Sequence, residues 1–207
     1  MSTLFKDIIE HEIYPAIGCT EPISCAYAAA IASSQLPGIP KNIHIHVDSG
    51  TFKNGNAVTV PYTKGAKGNL IAACLGAFLK KHDKKLQLLE LTTDKELEKA
   101  YFLYDSDNSS INVIEGETKF CVDVTVSDDE NKARCKLYQG HTNVVLISLN
   151  DKIIHEINMD FEDNPLSAYR KKIKSMAFNE LLNLPTSLDS SDINHIKKGI
   201  ELNLKLS

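Results

Sequence analysis

Phe120-Cys121-Val122-Asp123-Val124-Thr125-Val126 and Lys132-Ala133-Arg134-Cys135-Lys136-Leu137-Tyr138, either side of Asp128-Asp129-Glu130-Asn131, decide the fold of this chain. Both stretches alternate apolar with polar side chains, the period of a strand with one buried and one wetted face. The polar residues between them make a turn. Ile111–Ile114, Val144–Leu149 and Lys152–Ile157 repeat the pattern. Leu86, Leu88, Leu89 and Leu91 predict a further strand, and Thr93 is placed to cap a helix running to about Tyr104. Residues 85–160 therefore read as a small antiparallel α+β sandwich.

Outward from this segment the period becomes helical. Leu4, Ile8, Ile9 and Ile13 predict an amphipathic helix up to Pro15. Glu21 to Gln35 is an Ala-rich helix stopped by Pro37-Gly38-Ile39-Pro40, and Asn69 to Lys81 is a second small-residue helix. Ile43, Ile45 and Val47 alternate with His44, His46 and Asp48; with Ala57–Pro61 they predict a β-hairpin at 43–61 that turns at Lys53-Asn54-Gly55-Asn56. His44, His46 and Asp48 fall on one strand face, where a solvated surface is favoured over a zinc site. Ala168–Leu182 and Ser190–Leu206 return to helix, and Leu202, Leu204 and Leu206 carry an apolar pattern to the end, which predicts a partner surface. The expected fold class is α+β, with N- and C-terminal helical segments flanking the inserted sandwich. The expected domains are 1–84 with 161–207, and 85–160.

With 207 residues, 43% of them apolar, the chain is long enough for a real core. A net charge of -4 and no basic stripe argue against nucleic acid as partner. No apolar run is long enough for a membrane span, and Ser2-Thr3-Leu4-Phe5-Lys6-Asp7 lacks the pattern of a secretory leader. Five cysteines without a CxxC pair fit reduced thiols, so the expected location is the cytoplasm.

Chemistry concentrates in Pro15-Ala16-Ile17-Gly18-Cys19-Thr20-Glu21-Pro22-Ile23. Thr20 is placed to cap the Ala-rich helix, Glu21 suits the positive end of its dipole, and Pro22 fits the first turn. Cys19 then stands where unpaired N–H groups favour a thiolate. A buried, inert cysteine satisfies the same local pattern equally well. Lys53 and Asn54 offer a cation and an amide to a carboxylate, although Asn-Gly is also an ordinary hairpin turn. Gly140-His141-Thr142-Asn143 places an imidazole and two polar side chains at a strand entrance, or forms a plain polar loop.

The first of these motifs, with Ala26-Tyr27-Ala28-Ala29-Ala30 after it, resembles the N-terminal signature of the L-cysteine desulfidase family, which is related to the iron–sulfur L-serine dehydratase alpha chain. Lys53-Asn54-Gly55 before Val60-Pro61, Ile71 to Ala77, Gly140 to Ile147 and Gly199-Ile200-Glu201-Leu202-Asn203 resemble it in the same order. The resemblance covers about the first half of a family member. It departs after Pro61, where a compact glycine-rich loop is replaced by Tyr62-Thr63-Lys64-Gly65-Ala66-Lys67-Gly68, so that any pocket lined there changes shape and charge.

The resemblance implies α,β-elimination from L-cysteine or L-serine, giving pyruvate, ammonia and sulfide or water. It makes Cys19 either the catalytic base or a ligand of a [4Fe-4S] cluster, and makes Thr20, Glu21, Lys53, Asn54, His141, Thr142 and Asn143 substrate contacts. Cys25 and Cys74 read as core, and Cys121 and Cys135 lie on strands, so the other cluster ligands are not expected in this chain. The chain alone is expected to bind no cluster and to be inactive without a C-terminal half, supplied as a second chain, or to act as a homodimer. The alternative is a non-enzymatic remnant or a small-ligand-binding homo-oligomeric module.

Overall fold

In the computed structural model, which describes residues 4–13, 15–158 and 165–204, the alternating stretches join one mixed sheet of six strands. The strands are β1 (Asn42–Val47), β2 (Ser109–Val113), β3 (Cys121–Ser127), β4 (Lys132–Tyr138), β5 (Val144–Leu149) and β6 (Lys152–Glu156). Their order across the sheet is β2-β1-β3-β4-β5-β6. The helices are α1 (Leu4–Glu12), α2 (Thr20–Ser34), α3 (Ser49–Gly55), α4 (Asn69–Leu79), α5 (Asp94–Tyr104), α6 (Pro165–Ser175), α7 (Phe178–Asn183) and α8 (Ser190–Leu204), with 3-10 segments at His82–Leu91 and Leu184–Ser187. The fold is α+β, with helices flanking the sheet.

The alternation works out residue by residue. Ile43, Ile45 and Val47 pair with Val126, Val124 and Val122, and Val122, Val124 and Val126 pair in turn with Leu137, Cys135 and Ala133. All nine are fully buried. The opposite face carries Asp123, Thr125, Arg134 and Lys136, where the Arg134 guanidinium grips Asp123 through two bonds of 2.8 and 2.5 Å. Each fully buried Val or Ile removes apolar surface worth about 1.5–3 kcal/mol from water, which pins the register.

Helix α2 covers the apolar face and is buried from Pro22 to Ser33 on every side. Its alanines allow α4 to approach closely. A Cβ built on Gly76 would stand 2.0 Å from the backbone oxygen of Ala26, and Ser33 Oγ donates to the Ala77 oxygen over 2.6 Å.

Several expectations are corrected. The hairpin at 43–61 does not form: Asp48 caps α3 by accepting from the Thr51 amide at 2.9 Å, and Lys53-Asn54-Gly55 is the end of that helix. Only the isolated bridge Thr59–Lys67 remains of the second strand. Leu86, Leu88 and Leu89 are buried, but from a 3-10 segment kinked at Lys85. The sheet is mixed rather than antiparallel, because β2 pairs with β1 in parallel. That pairing needs a long crossover, and α3, α4, the first 3-10 segment and α5 supply it. The predicted helix at 168–182 is interrupted between α6 and α7.

The chain divides into two units, 16–157 and 1–15 with 158–207, so β1 belongs with the strands placed in 85–160 rather than apart from them. In the second unit Glu12 accepts from Arg170 Nη2 at 2.7 Å and from Tyr169, and His195 Nε2 meets the Ile13 oxygen at 2.9 Å. Asp189 accepts from the amides of Ser191 and Asp192 at the start of α8. Leu206 and the end of its apolar pattern lie outside the described residues. No helix among the described residues is long and apolar enough to cross a membrane.

Candidate functional site

Helix α2 begins one residue earlier than its cap motif suggested. Cys19, extended at φ -61° and ψ 127°, takes the cap position without a side-chain cap bond, and Thr20 opens the helix. Its half-buried thiol donates to Glu21 Oε2 over 3.0 Å. Thr20 Oγ1 also reaches that oxygen, at 3.3 Å, and Asn54 Nδ2 on α3 donates to Glu21 Oε1 at 3.1 Å. The carboxylate is thus held from two helices.

An imidazole arrives from the β4–β5 connection. Asn143 closes that loop by donating Nδ2 to the Tyr138 oxygen at 2.7 Å, while its own backbone oxygen accepts from the Tyr138 amide. His141 then stands with Nε2 3.4 Å from Thr20 Oγ1. Ser24 Oγ lies 3.3 Å from Nδ1 and 3.1 Å from the His141 oxygen, and the Phe120 ring meets the imidazole edge-to-face at 4.4 Å.

Five predicted residues therefore do converge: Cys19, Thr20, Glu21, Asn54 and His141. Asn143 shapes the loop instead. No hydrogen bond or ion pair among the described residues ties Lys53 or Thr142 to Cys19, Glu21 or His141. Successive residues point about 100° apart around a helix, so Lys53 cannot share the direction of Asn54 once 49–55 is α3 rather than a turn. Ser24 joins them although no motif pointed to it. The signal was its spacing, four residues after Thr20 and so on the same helix face.

The electrostatics reverse the dipole argument. Burial pushes the Cys19 thiol above its ordinary pKa, and its bond to the Glu21 carboxylate adds to the rise, so the group rests as a thiol. Burial would raise Glu21, but the Cys19 thiol, the Asn54 amide, its own backbone N–H and nearby His141 together hold it below the usual carboxylate range. The site at rest is a neutral thiol on an ionised carboxylate.

The other four cysteines are fully buried. Burial raises Cys121 to about 11 and Cys74 to about 12, and Cys25 and Cys135 further still. Asp48 turns away from His44 and His46 into the protein, where it accepts from Thr51 Oγ1 at 2.6 Å and the Cys121 amide at 2.8 Å. Among the described residues no group of three or more His, Cys, Asp or Glu is placed to hold a metal ion.

The divergent loop abuts the motif. A Cβ on Gly18 would lie 3.0 Å from Pro61 Cγ, next to Tyr62. Buried Thr63 anchors this loop by donating to the Val60 oxygen at 2.7 Å and accepting at its backbone oxygen from Tyr101 at 2.8 Å. Tyr62 and Lys64 on either side are driven to positive φ, at 62° and 59°. A separate open groove of about 510 Å³, lined by Ile39, Pro40, Phe78, Phe102 and Leu103 among others, shares no lining residue with the Cys19 cluster.

The chain is 36% identical over 205 residues to a UPF0597 protein of Geobacter sulfurreducens, covering 99% of this chain and 48% of that protein. It is 35% identical over 203 residues to a UPF0597 protein of Elusimicrobium minutum, covering 97% and 47%. With a UPF0597 protein of Dichelobacter nodosus it shares 33% over 216 residues, covering 100% and 49%. The chain thus spans about half the length of the curated relatives it matches. No family model matches it, and no solved structure does.

Proposed function

We propose that the chain is the N-terminal part of a cytoplasmic lyase that carries out α,β-elimination on L-cysteine or L-serine. The observation that carries this reading is the Cys19 thiol donating to the ionised Glu21 carboxylate, with His141 one hydroxyl away. The thiol already has an acceptor for its proton in Glu21; burial and that carboxylate hold the proton on sulfur at rest, and the ammonium of a bound amino acid favours the thiolate that its transfer generates. That thiolate is suited either to take the α-proton of the substrate or to bind a metal.

In the elimination the base removes the Cα proton, the electron pair becomes the Cα=Cβ bond, and hydrosulfide or hydroxide leaves Cβ. Hydrolysis of the resulting enamine yields pyruvate and ammonia. Thr20, Glu21, Asn54 and His141 supply donors and acceptors for the ammonium and carboxylate of the amino acid.

The described residues do not fit a [4Fe-4S] cluster, because four of the five cysteines are sealed in the core and only Cys19 is within reach of solvent. Under this reading the remaining ligands belong to the part of the relatives' length that this chain does not span. The partner is accordingly that missing half.

The test joins this chain to the remainder of the Geobacter sulfurreducens relative under anaerobic conditions and measures pyruvate from cysteine and from serine. Release is expected from the combined protein, with a loss of about 100-fold or more on Cys19→Ser. Release by this chain alone would refute the half-site reading. A combined protein inert toward both amino acids would end the lyase assignment.

A further inference from the structure

Asn69 opens α4, is 2% exposed, and lies along one face of α3. Its Nδ2 donates to the Thr51 backbone oxygen over 2.9 Å. Its Oδ1 lies against Gly55, where a built Cβ would stand 1.9 Å from that oxygen and 2.5 Å from Cγ. Thr51 and Gly55 are one helical turn apart, so the amide spans a single face of α3. Among the described residues Oδ1 is a buried side-chain atom with no hydrogen-bond partner. A leucine would fill the same space without stranding an oxygen, but it has no proton to give Thr51. The bond to Thr51 is what the asparagine supplies.

We infer that Asn69 is a positioning residue: by bracing the Thr51–Gly55 face of α3 it sets the rotation of that helix about its axis, and so aims the Asn54 amide at the Glu21 carboxylate of the Cys19 pair. Asn54 stands immediately before Gly55 and meets Glu21 Oε1 at 3.1 Å. Side-chain tips ride about 5–6 Å from a helix axis, so a rotation of about 20° carries the Asn54 amide roughly 2 Å, beyond the reach of that bond. Asp48 fastens the start of this seven-residue helix, and Asn69 fastens the last turn, which carries Asn54.

This deepens the lyase reading, on which its catalytic meaning rests: Asn54 is one of the donors that keep Glu21 ionised beside the thiol. The brace itself requires no turnover.

The experiment titrates Glu21 in the whole chain. Carbon-13 spectra of the chain labelled at the glutamate carboxyl carbons follow each side chain with pH, and Glu21→Gln identifies the signal. Asn54→Ala is expected to raise the Glu21 pKa by about half a pH unit or more, the effect of one lost donor. Asn69→Ala, which removes no bond to Glu21, is expected to raise it in the same direction and to add nothing in the Asn54→Ala background. Gly55→Ala drives a methyl into the Asn69 amide and is expected to raise it as well, so the brace is read from its other side should Asn69→Ala fail to fold. A Glu21 titration unchanged in Asn69→Ala or in Gly55→Ala overturns the inference. A rise in Asn69→Ala that persists undiminished on top of Asn54→Ala overturns it too, because Asn69 then acts on Glu21 by another route. No readout involves pyruvate, so failure of the brace and failure of the lyase reading are separable.

Discussion

The Cys19 thiol donates to Glu21 Oε2 over 3.0 Å, so the residue placed to gain from a helix dipole spends its proton on a carboxylate two residues away. Burial, with a carboxylate at hydrogen-bond distance adding to it, outweighs the partial charge of the helix end. Replacing the carboxylate is the direct check. Glu21→Gln should lower the Cys19 pKa, increase the thiolate fraction at fixed pH, and speed iodoacetamide labelling of Cys19 at pH 8 by about three- to tenfold. Labelling that slows or stays constant would show that burial, not Glu21, holds the proton.

Asp48 ties three elements together at the end of β1, accepting from the Thr51 amide, the Thr51 hydroxyl and the Cys121 amide. Asp48→Ala removes the cap of α3 and leaves these three buried donors without that acceptor. The expected cost is about 2–4 kcal/mol, read from urea unfolding. Amide exchange at Thr51 and Cys121 should accelerate together, since one side chain protects both.

Gly76 is required by the approach of α4 to α2. In Gly76→Ala the new methyl would meet the backbone oxygen of Ala26 at 2.0 Å, and backbone cannot swing aside as a side chain can. Overpacking of this kind costs about 1–3 kcal/mol or more, despite alanine's better helix propensity. A melting temperature equal to or above that of the wild-type chain would mean the two helices separate easily.

The buried thiols predict weakness in alkali. Their native pKa values are raised above the ordinary 9.0, to about 11 for Cys121 and about 12 for Cys74. Below pH 9 both native and unfolded states hold these protons, and the contribution is fully present. Above it the unfolded chain loses them while the native chain keeps them, so stability falls by about 1.4 kcal/mol per pH unit for each thiol, until the native pKa is passed. Urea midpoints should drop between pH 9 and 10.5, and Cys74→Ala should make that drop shallower. An unchanged slope in Cys74→Ala would refute the assignment for that thiol.

Much of the fold was legible as periodicity. Period-two alternation in β3, β4 and β5 needs only neighbours along the chain to reveal it, and each of those strands covers its predicted stretch to within a residue. The Ala-rich α2 and α4 were equally plain. Residues 49–55 failed because Asn54-Gly55 favours a hairpin locally, while Asp48, three residues before Thr51, supplies a helix cap whose bonds extend to Cys121. The leucines at 86–91 failed because a short apolar run reads alike as strand or buried turn; only the core they plug into distinguishes the two.

At the candidate site, the sequence by itself determined that a cysteine and a glutamate stand two residues apart at the head of an Ala-rich helix; the extended backbone of Cys19 at the cap, not helical spacing, lets their side chains meet. Tertiary structure alone decided that β2 lies parallel to β1, that Asn54 reaches Glu21 from another helix, and that Ser24 meets His141 across 117 residues. The first depends on local geometry. The others depend on packing a whole apolar face against a sheet, an energy shared among distant residues that no short stretch contains.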